Sequence, residues 1–254
     1  MRELLFTFIF LFIFFSGTAL SAQQARFDEA TTLLEENQFR EAVSLYKKIA
    51  REGNYSGSLW LNLGIAYSQL DSLGVSKYYF LRAKEYPETR EKAENALSYV
   101  NERFSRQSAI LPLLPWDRFF NFLSVTIGSG GLFISGFVFL YAGVFLIILS
   151  WFRHGFNRPL KLTGLIFSGI TLLFFLTGYY LNYIDDRYGT GVLTDRQTTV
   201  FEQPREESAV ISTAYEGYTM KVDIHQSKEN AEWYYVRLEN GMYGWVDRNS
   251  VMVF

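Results

Sequence analysis

Chemistry at neutral pH needs a nucleophile, a poised acid or base, or a set of metal ligands, and this chain is poor in all three. It has two histidines, His154 and His225, and no cysteine. Without a thiol there is no thiolate nucleophile, no thiolate zinc site, no disulfide framework and no lipid-modified cysteine. The carboxylate pairs Glu35-Glu36 and Glu206-Glu207 are adjacent in sequence, so on a helix or strand they diverge and act as solvated faces. The run Gly128-Ser129-Gly130-Gly131 has the glycine density of a phosphate cradle. No Lys-Ser/Thr follows it and no soluble strand precedes it, which leaves a helix break or a close-packing site. No G-x-S-x-G or H-E-x-x-H motif occurs. The expectation is a protein that is not an enzyme, with no cofactor and no metal.

The elements that would position any site are set by lipid. Phe119 to Phe152 is a run of 34 residues without a charge, and Leu162 to Ile184 is a second uncharged run. The hydrocarbon core takes about 20 apolar helical residues to cross, so transmembrane helices are expected over residues 132–152 and 162–184. Residues 109–131 form a linker, with Phe119 to Ile127 as an interfacial lead-in. Gly131/Ser135 and Gly164/Ser168 are small residues four apart, one pair per helix, suited to close approach. Neither span carries Asp, Glu, Lys, Arg or His, which argues for an anchor rather than a transport pathway. Arg153, Arg158 and Lys161 lie between the runs and Asp185 and Asp186 follow the second. The basic connector, residues 153–161, is therefore placed in the cytoplasm and both flanks outside.

Residues 1–22 give the same topology. Arg2, the apolar stretch Leu4 to Phe15 and the small residues through Ala22 have the layout of a secretory signal peptide. Cleavage after Ala19, Ser21 or Ala22 fits, and an uncleaved anchor is the alternative. The charge partition adds a constraint on partners. Residues 23–118 carry 13 basic and 13 acidic side chains, whereas residues 185–254 carry 7 basic against 12 acidic. No basic, aromatic-interleaved patch lies outside the connector, so nucleic acid is not an expected partner.

Residues 23–108 read as helical. Apolar residues recur at helical spacing through Ala42, Leu45, Tyr46, Ile49, then Trp60, Leu63, Ala66, Tyr67, Leu70, then Ala93, Ala96, Leu97, Val100 and Phe104. Similar residues also recur 34 apart, as in Asn37 with Asp71, Phe39 with Leu73, Tyr46 with Phe80 and Ile49 with Ala83. This period, with Trp60, Leu63, Gly64 and Tyr67 in a W-x2-L-G-x2-Y helix and Phe80 and Ala83 in the next, resembles the tetratricopeptide (TPR) repeat. Pro87 falls one place early, and the first repeat lacks the Trp and Gly. The expectation is two repeats and a terminal helix near Arg90 to Ser105, with a generic helical bundle as the alternative. Gly64 would allow close helix approach, with Trp60, Tyr67 and Phe80 around it. Leu61, Ile65 and Ser68 would then line a concave partner-binding face, unless so short an array only packs against a partner or the membrane. Pro112 and Pro115 form a P-x-x-P spacing, either an SH3 ligand or simply a helix end with Trp116 at the interface.

After Gly189 the pattern changes to short strands: Thr198 to Phe201, Val210 to Ala214, Thr219 to Ile224, Trp233 to Leu238 and Met242 to Val246. Asn240-Gly241 signals a two-residue hairpin with positive φ at both positions. Tyr234, Val236 and Leu238 face one way and Trp233, Tyr235 and Arg237 the other. Five or six strands in so short a stretch suggest a small barrel. The stretch from Trp233 to Val246, W-Y-Y-V-R-L-E-N-G-M-Y-G-W-V, resembles the bacterial SH3 domain over residues 191–254. Phe201 and Glu202 stand where that family has Arg and Ser. The resemblance implies an aromatic-lined cleft for cell-wall peptides or protein segments, with Trp233, Tyr235, Tyr243 and Trp245 as candidate lining residues. Core packing of Trp245 and cross-strand packing of Tyr235 are the plainer alternatives.

The fold class is thus a multidomain membrane protein: an all-α TPR-like repeat domain, a two-helix transmembrane hairpin and an all-β SH3-like small barrel. That order of modules resembles the E component of the aerotolerance-operon (Bat) proteins. The resemblance implies an accessory protein of the bacterial inner membrane, grouped with von Willebrand A-domain membrane proteins and tied to oxidative-stress tolerance. The bilayer and protein partners are expected, with both soluble domains on the periplasmic side. A peptidoglycan-peptide sensor is the rival function.

Overall fold

A computed structural model describes residues 23–106, 111–112, 115–152 and 157–254. The expected signal peptide, residues 153–156 of the connector and much of the P-x-x-P linker lie outside these. Five helices come first: α1 (residues 23–35), α2 (Phe39–Arg51), α3 (Gly57–Gln69), α4 (Leu73–Lys84) and α5 (Arg90–Arg103). Helix α3 ends 34 residues after α1, and α4 starts 34 after α2, so the sequence period is the period of the fold.

The turns show why the period works. Asn37 and Asp71 adopt φ of 62° and 57°, a left-handed conformation that short polar side chains tolerate. The amide of Gln38 donates to the Leu33 carbonyl and that of Asn37 to Leu34; Ser72 to Tyr67 and Asp71 to Ser68 repeat the pattern. Both helices therefore end in the same Schellman cap. Short connections of this kind make sequential helices antiparallel neighbours. At Gly64 a Cβ would lie 2.5 Å from Phe80 Cδ1 and Cε1, and the Ser76 hydroxyl donates to the Gly64 carbonyl at 2.7 Å. Phe80 fills the expected place. Trp60 and Tyr67 do not join it but stack on either side of Tyr79, at 5.8 and 5.5 Å.

Seven strands follow later in the chain: β1 (Tyr188–Leu193), β2 (Gln197–Phe201), β3 (Val210–Tyr215), β4 (Thr219–Asp223), β5 (Trp233–Leu238), β6 (Tyr243–Asp247) and β7 (Val251–Val253). A short helix α9 (Ile224–Ser227) follows β4. The sheet order is β3-β2-β6-β5-β4-β1-β7. Leu193, Val200, Ala214, Met220, Val222, Val236, Leu238 and Val246 form its core. Strands β1 and β7, paired at one end of the sheet, are additional to the five named from sequence, and β1 begins before residue 191. The β5–β6 hairpin also differs in its turn. Only Gly241 has positive φ, 84°, and Leu238 donates to the Met242 carbonyl. Three residues thus close the hairpin, a turn followed by a left-handed glycine, in place of the two-residue turn.

Helices α1–α5 and most of the sheet form one compact unit. The Gly74 amide donates to Glu216 Oε1 at 2.7 Å, and Lys77 Nζ donates to the Gly217 carbonyl at 2.7 Å. Burial lowers the Lys77 pKa below the usual lysine range, partly opposed by Glu239. Phe254 meets Tyr78 edge-on, and Met252 and Val192 join the helical core. Strands β1 and β7 thus carry residues that reach the helices.

The second unit holds α6 (Pro115–Thr126), α7 (Gly128–Phe152) and α8 (Asn157–Arg187). Gly128–Phe152 and Arg158–Arg187 are long and apolar enough to cross a membrane, and most of each is not buried within the protein, unlike a core helix. The glycine run does not break this span before Leu132. It forms its first turn, and the break falls at Gly128, φ 69°. Helix α8 likewise begins before residue 162, inside the expected connector. At the α7–α8 contact Gly143 of α7 faces Gly164 and Ser168 of α8, Gly136 of α7 lies against Phe174 and Phe175, and Gly178 of α8 lies against Leu132 and Phe133. Gly164/Ser168 lie at the expected contact; Gly131/Ser135 do not, since a Cβ at Gly131 would meet only Ile127 of the preceding turn.

Candidate functional site

The alternation of strand β5 sends Tyr234, Val236 and Leu238 to the core and Trp233, Tyr235 and Arg237 outward. Its register with β6 pairs Trp233 with Asp247, Tyr235 with Trp245 and Arg237 with Tyr243. On the other side of β6, Trp245 pairs with Phe201 of β2. These residues therefore share one outer face. Tyr235 lies 5.2 Å from Trp245 in an edge-on contact and stacks on Tyr243 at 6.2 Å. Trp233 meets Phe201 edge-on at 5.6 Å. From Trp233 to Arg237 the row spans roughly 13 Å at 3.3 Å per strand residue, the length of about four residues of an extended segment.

Burial divides the four expected lining residues. Trp245 is only 9 % exposed, so it serves as the floor on which the others pack, whereas Tyr243 is 47 % exposed. Trp233 and Tyr235 are half-buried and keep part of their rings open to solvent. Tyr235 does make the cross-strand packing expected of it, and still presents an edge outward. The face is polar at its ends. The Arg237 guanidinium lies 5.4 Å from the Tyr243 ring centre, and exposed Asp247 accepts a hydrogen bond from the Asn249 amide at 2.8 Å. Such a face can stack on apolar or planar groups and pair with a charge at either end.

Two members of the face are not recognisable from sequence. Phe201 completes the row through its pairing with Trp245: strand alternation turns it outward while Val200 stays in the core, and the bulge beside it places the extra residue, Ile211, on β3. Gly244 sits between Tyr243 and Trp245, where a Cβ would come within 2.5 Å of Val200 Cγ1 and 2.7 Å of the Phe201 carbonyl. It lets β2 close against β6. The Gly-Trp pair is visible in the sequence, but its cross-strand neighbour is not.

In the other expected site Leu61 and Ile65 are half-buried. Ser68 is buried, and Leu61 and Ile65 pack against the cluster of Leu73, Phe80, Leu97 and Val100. Helix α5 supplies two of those residues, and Arg103 reaches the Ser68 carbonyl at 3.5 Å. The row expected to form a concave partner-binding surface is in large part the seat of the chain's own terminal helix.

The antiparallel sheet, with an aromatic outer face on its β5–β6 hairpin, is consistent with an SH3-like domain. Residues 197–252 match the family model of the bacterial SH3 domain. No curated protein matches the chain. A bacterial SH3 domain points to binding of protein or peptidoglycan.

Proposed function

We propose that this protein is a membrane-anchored adaptor without catalytic activity, and that the outer face of β5 and β6 holds an extended segment of a partner protein. The aromatic row from Phe201 and Trp233 to Tyr243 is the observation that carries this. The acidic balance of residues 185–254 favours cationic or neutral segments. The 34-residue helical period supports a TPR-like array, here closed by α5 and docked on the barrel. If α7 and α8 cross the bilayer, two crossings return the chain to the side it left. That matches the contacts joining α4 to the barrel, which require both modules on one side. Retention of Arg158 and Lys161 in the cytoplasm makes that side extracytoplasmic, in a bacterial inner membrane. The module order supports a place beside von Willebrand A-domain membrane proteins in an aerotolerance complex. A second reading is favoured by Arg237, whose exposed cation at one end of the row suits a carboxylate of a peptidoglycan peptide.

Full-length protein in nanodiscs, with Tyr235→Ala, tests the site. Loss of one anchoring aromatic should weaken partner binding by about 10- to 30-fold while the barrel stays folded. Co-purification of A-domain proteins that survives Tyr235→Ala unchanged would remove the face from the account, and retention on purified sacculi would favour the wall peptide. Topology has its own check because the chain has no cysteine. In intact cells an impermeant thiol reagent should modify Glu229→Cys and spare Pro159→Cys; the reverse pattern would place the barrel in the cytoplasm.

A further inference from the structure

Helix α6 exposes more large apolar surface than its length can justify in water. Trp116, Phe119, Phe122 and Val125 are each between 57 and 69 % exposed. Spaced three apart, they sweep roughly 180° of the helix circumference. Asn121 and Ser124 lie on the remaining arc. The helix is fixed to the hairpin by Phe120, whose ring lies 5.0 Å from that of Tyr180 on α8. A single residue, Ile127, separates its end from the start of α7, and Gly128 supplies a left-handed turn at that point. Arg118 emerges within the aromatic arc, where its long stem lets the guanidinium reach the phosphate level while its neighbours sit deeper.

We propose that α6 is an in-plane membrane anchor whose Trp116–Phe119–Phe122–Val125 side is covered by the acyl–headgroup boundary of the leaflet that α7 enters. The inference rests on the membrane reading of α7 and α8. Its occupant is lipid, because both long helices of the same unit also expose large apolar side chains, and the arc carries one cation suited to phosphate. The hairpin then holds the soluble unit by three contacts with the bilayer instead of two.

Single cysteines can be introduced without background and labelled with nitroxide in the full-length protein in phospholipid nanodiscs. Labels at Phe119, Phe122 and Val125 should be open to oxygen and shielded from a water-soluble nickel chelate, at about 5–10 Å below the phosphates. Labels at Asn121 and Ser124 should admit the chelate several-fold more readily. Phe145, exposed midway along α7, reports on the hairpin. Water-like behaviour at Phe119 and Phe122 with lipid-like behaviour at Phe145 overturns the anchor and leaves the hairpin standing. Water-like behaviour at Phe145 as well removes both. Spectral broadening at Phe122 that grows with protein-to-lipid ratio would assign the surface to a second copy and also overturn the proposal.

Discussion

Gly64→Val should lower the thermal midpoint of the soluble unit by about 3–10 °C, read by circular dichroism in detergent. The cause is a clash that cannot relax locally. A Cβ at this position falls 2.5 Å from two carbons of the Phe80 ring, which is itself buried between α3 and α4. Overpacking of this kind costs about 1–3 kcal/mol, against a few tenths gained from replacing glycine in a helix interior. Parting the helices to make room also strains the Ser76–Gly64 hydrogen bond of 2.7 Å. The clash has one partner, so the cycle with Phe80→Leu decides the mechanism. The double variant should lose less than the sum of the two single losses. Simple additivity would show that the damage arises somewhere other than this contact.

Gly64 is legible because its signal is local: a W-x2-L-G-x2-Y helix repeats a helical face within eight residues. The same holds for Asn37 and Asp71, whose 34-residue offset becomes two identical caps, and for β5, whose alternation separates core from face in six residues. The docking of helices on barrel is not legible. Gly74 meets Glu216 across 142 positions and Lys77 meets Gly217 across 140, and no periodicity links residues so far apart. Strands β1 and β7 escape the sequence for a related reason. Gly191 pairs with Val253, so each strand is made regular by the other and neither alternates convincingly alone. Leu61, Ile65 and Ser68 lie at sensible repeat positions, and what the periodicity does not reveal is that Leu97 and Val100 of α5 join the cluster against which Leu61 and Ile65 pack.

Gly217→Val should separate the two soluble modules rather than merely soften them. Gly217 has φ 80° and a Cβ there would lie 2.2 Å from Phe104 Cζ, with two further ring carbons at 2.5 Å. The backbone strain of a β-branched residue in the left-handed region costs about 1–3 kcal/mol, and the collision adds a comparable amount. The amide of Gly217 also donates to the Leu193 carbonyl, and its carbonyl accepts from Lys77. Moving this turn therefore breaks contacts on both sides. Spin labels at Asn95→Cys and Lys221→Cys should give one narrow distance in the parent chain and a broad distribution in the variant. Gly53 supplies the control. It has nearly the same φ, 83°, but a Cβ there would meet nothing within 4 Å. Gly53→Val carries the backbone strain alone and should lower stability while leaving the inter-label distance narrow. If Gly217→Val also leaves it narrow, the Phe104 contact does not hold array and barrel together, and the barrel's aromatic face would have to act independently of the helices.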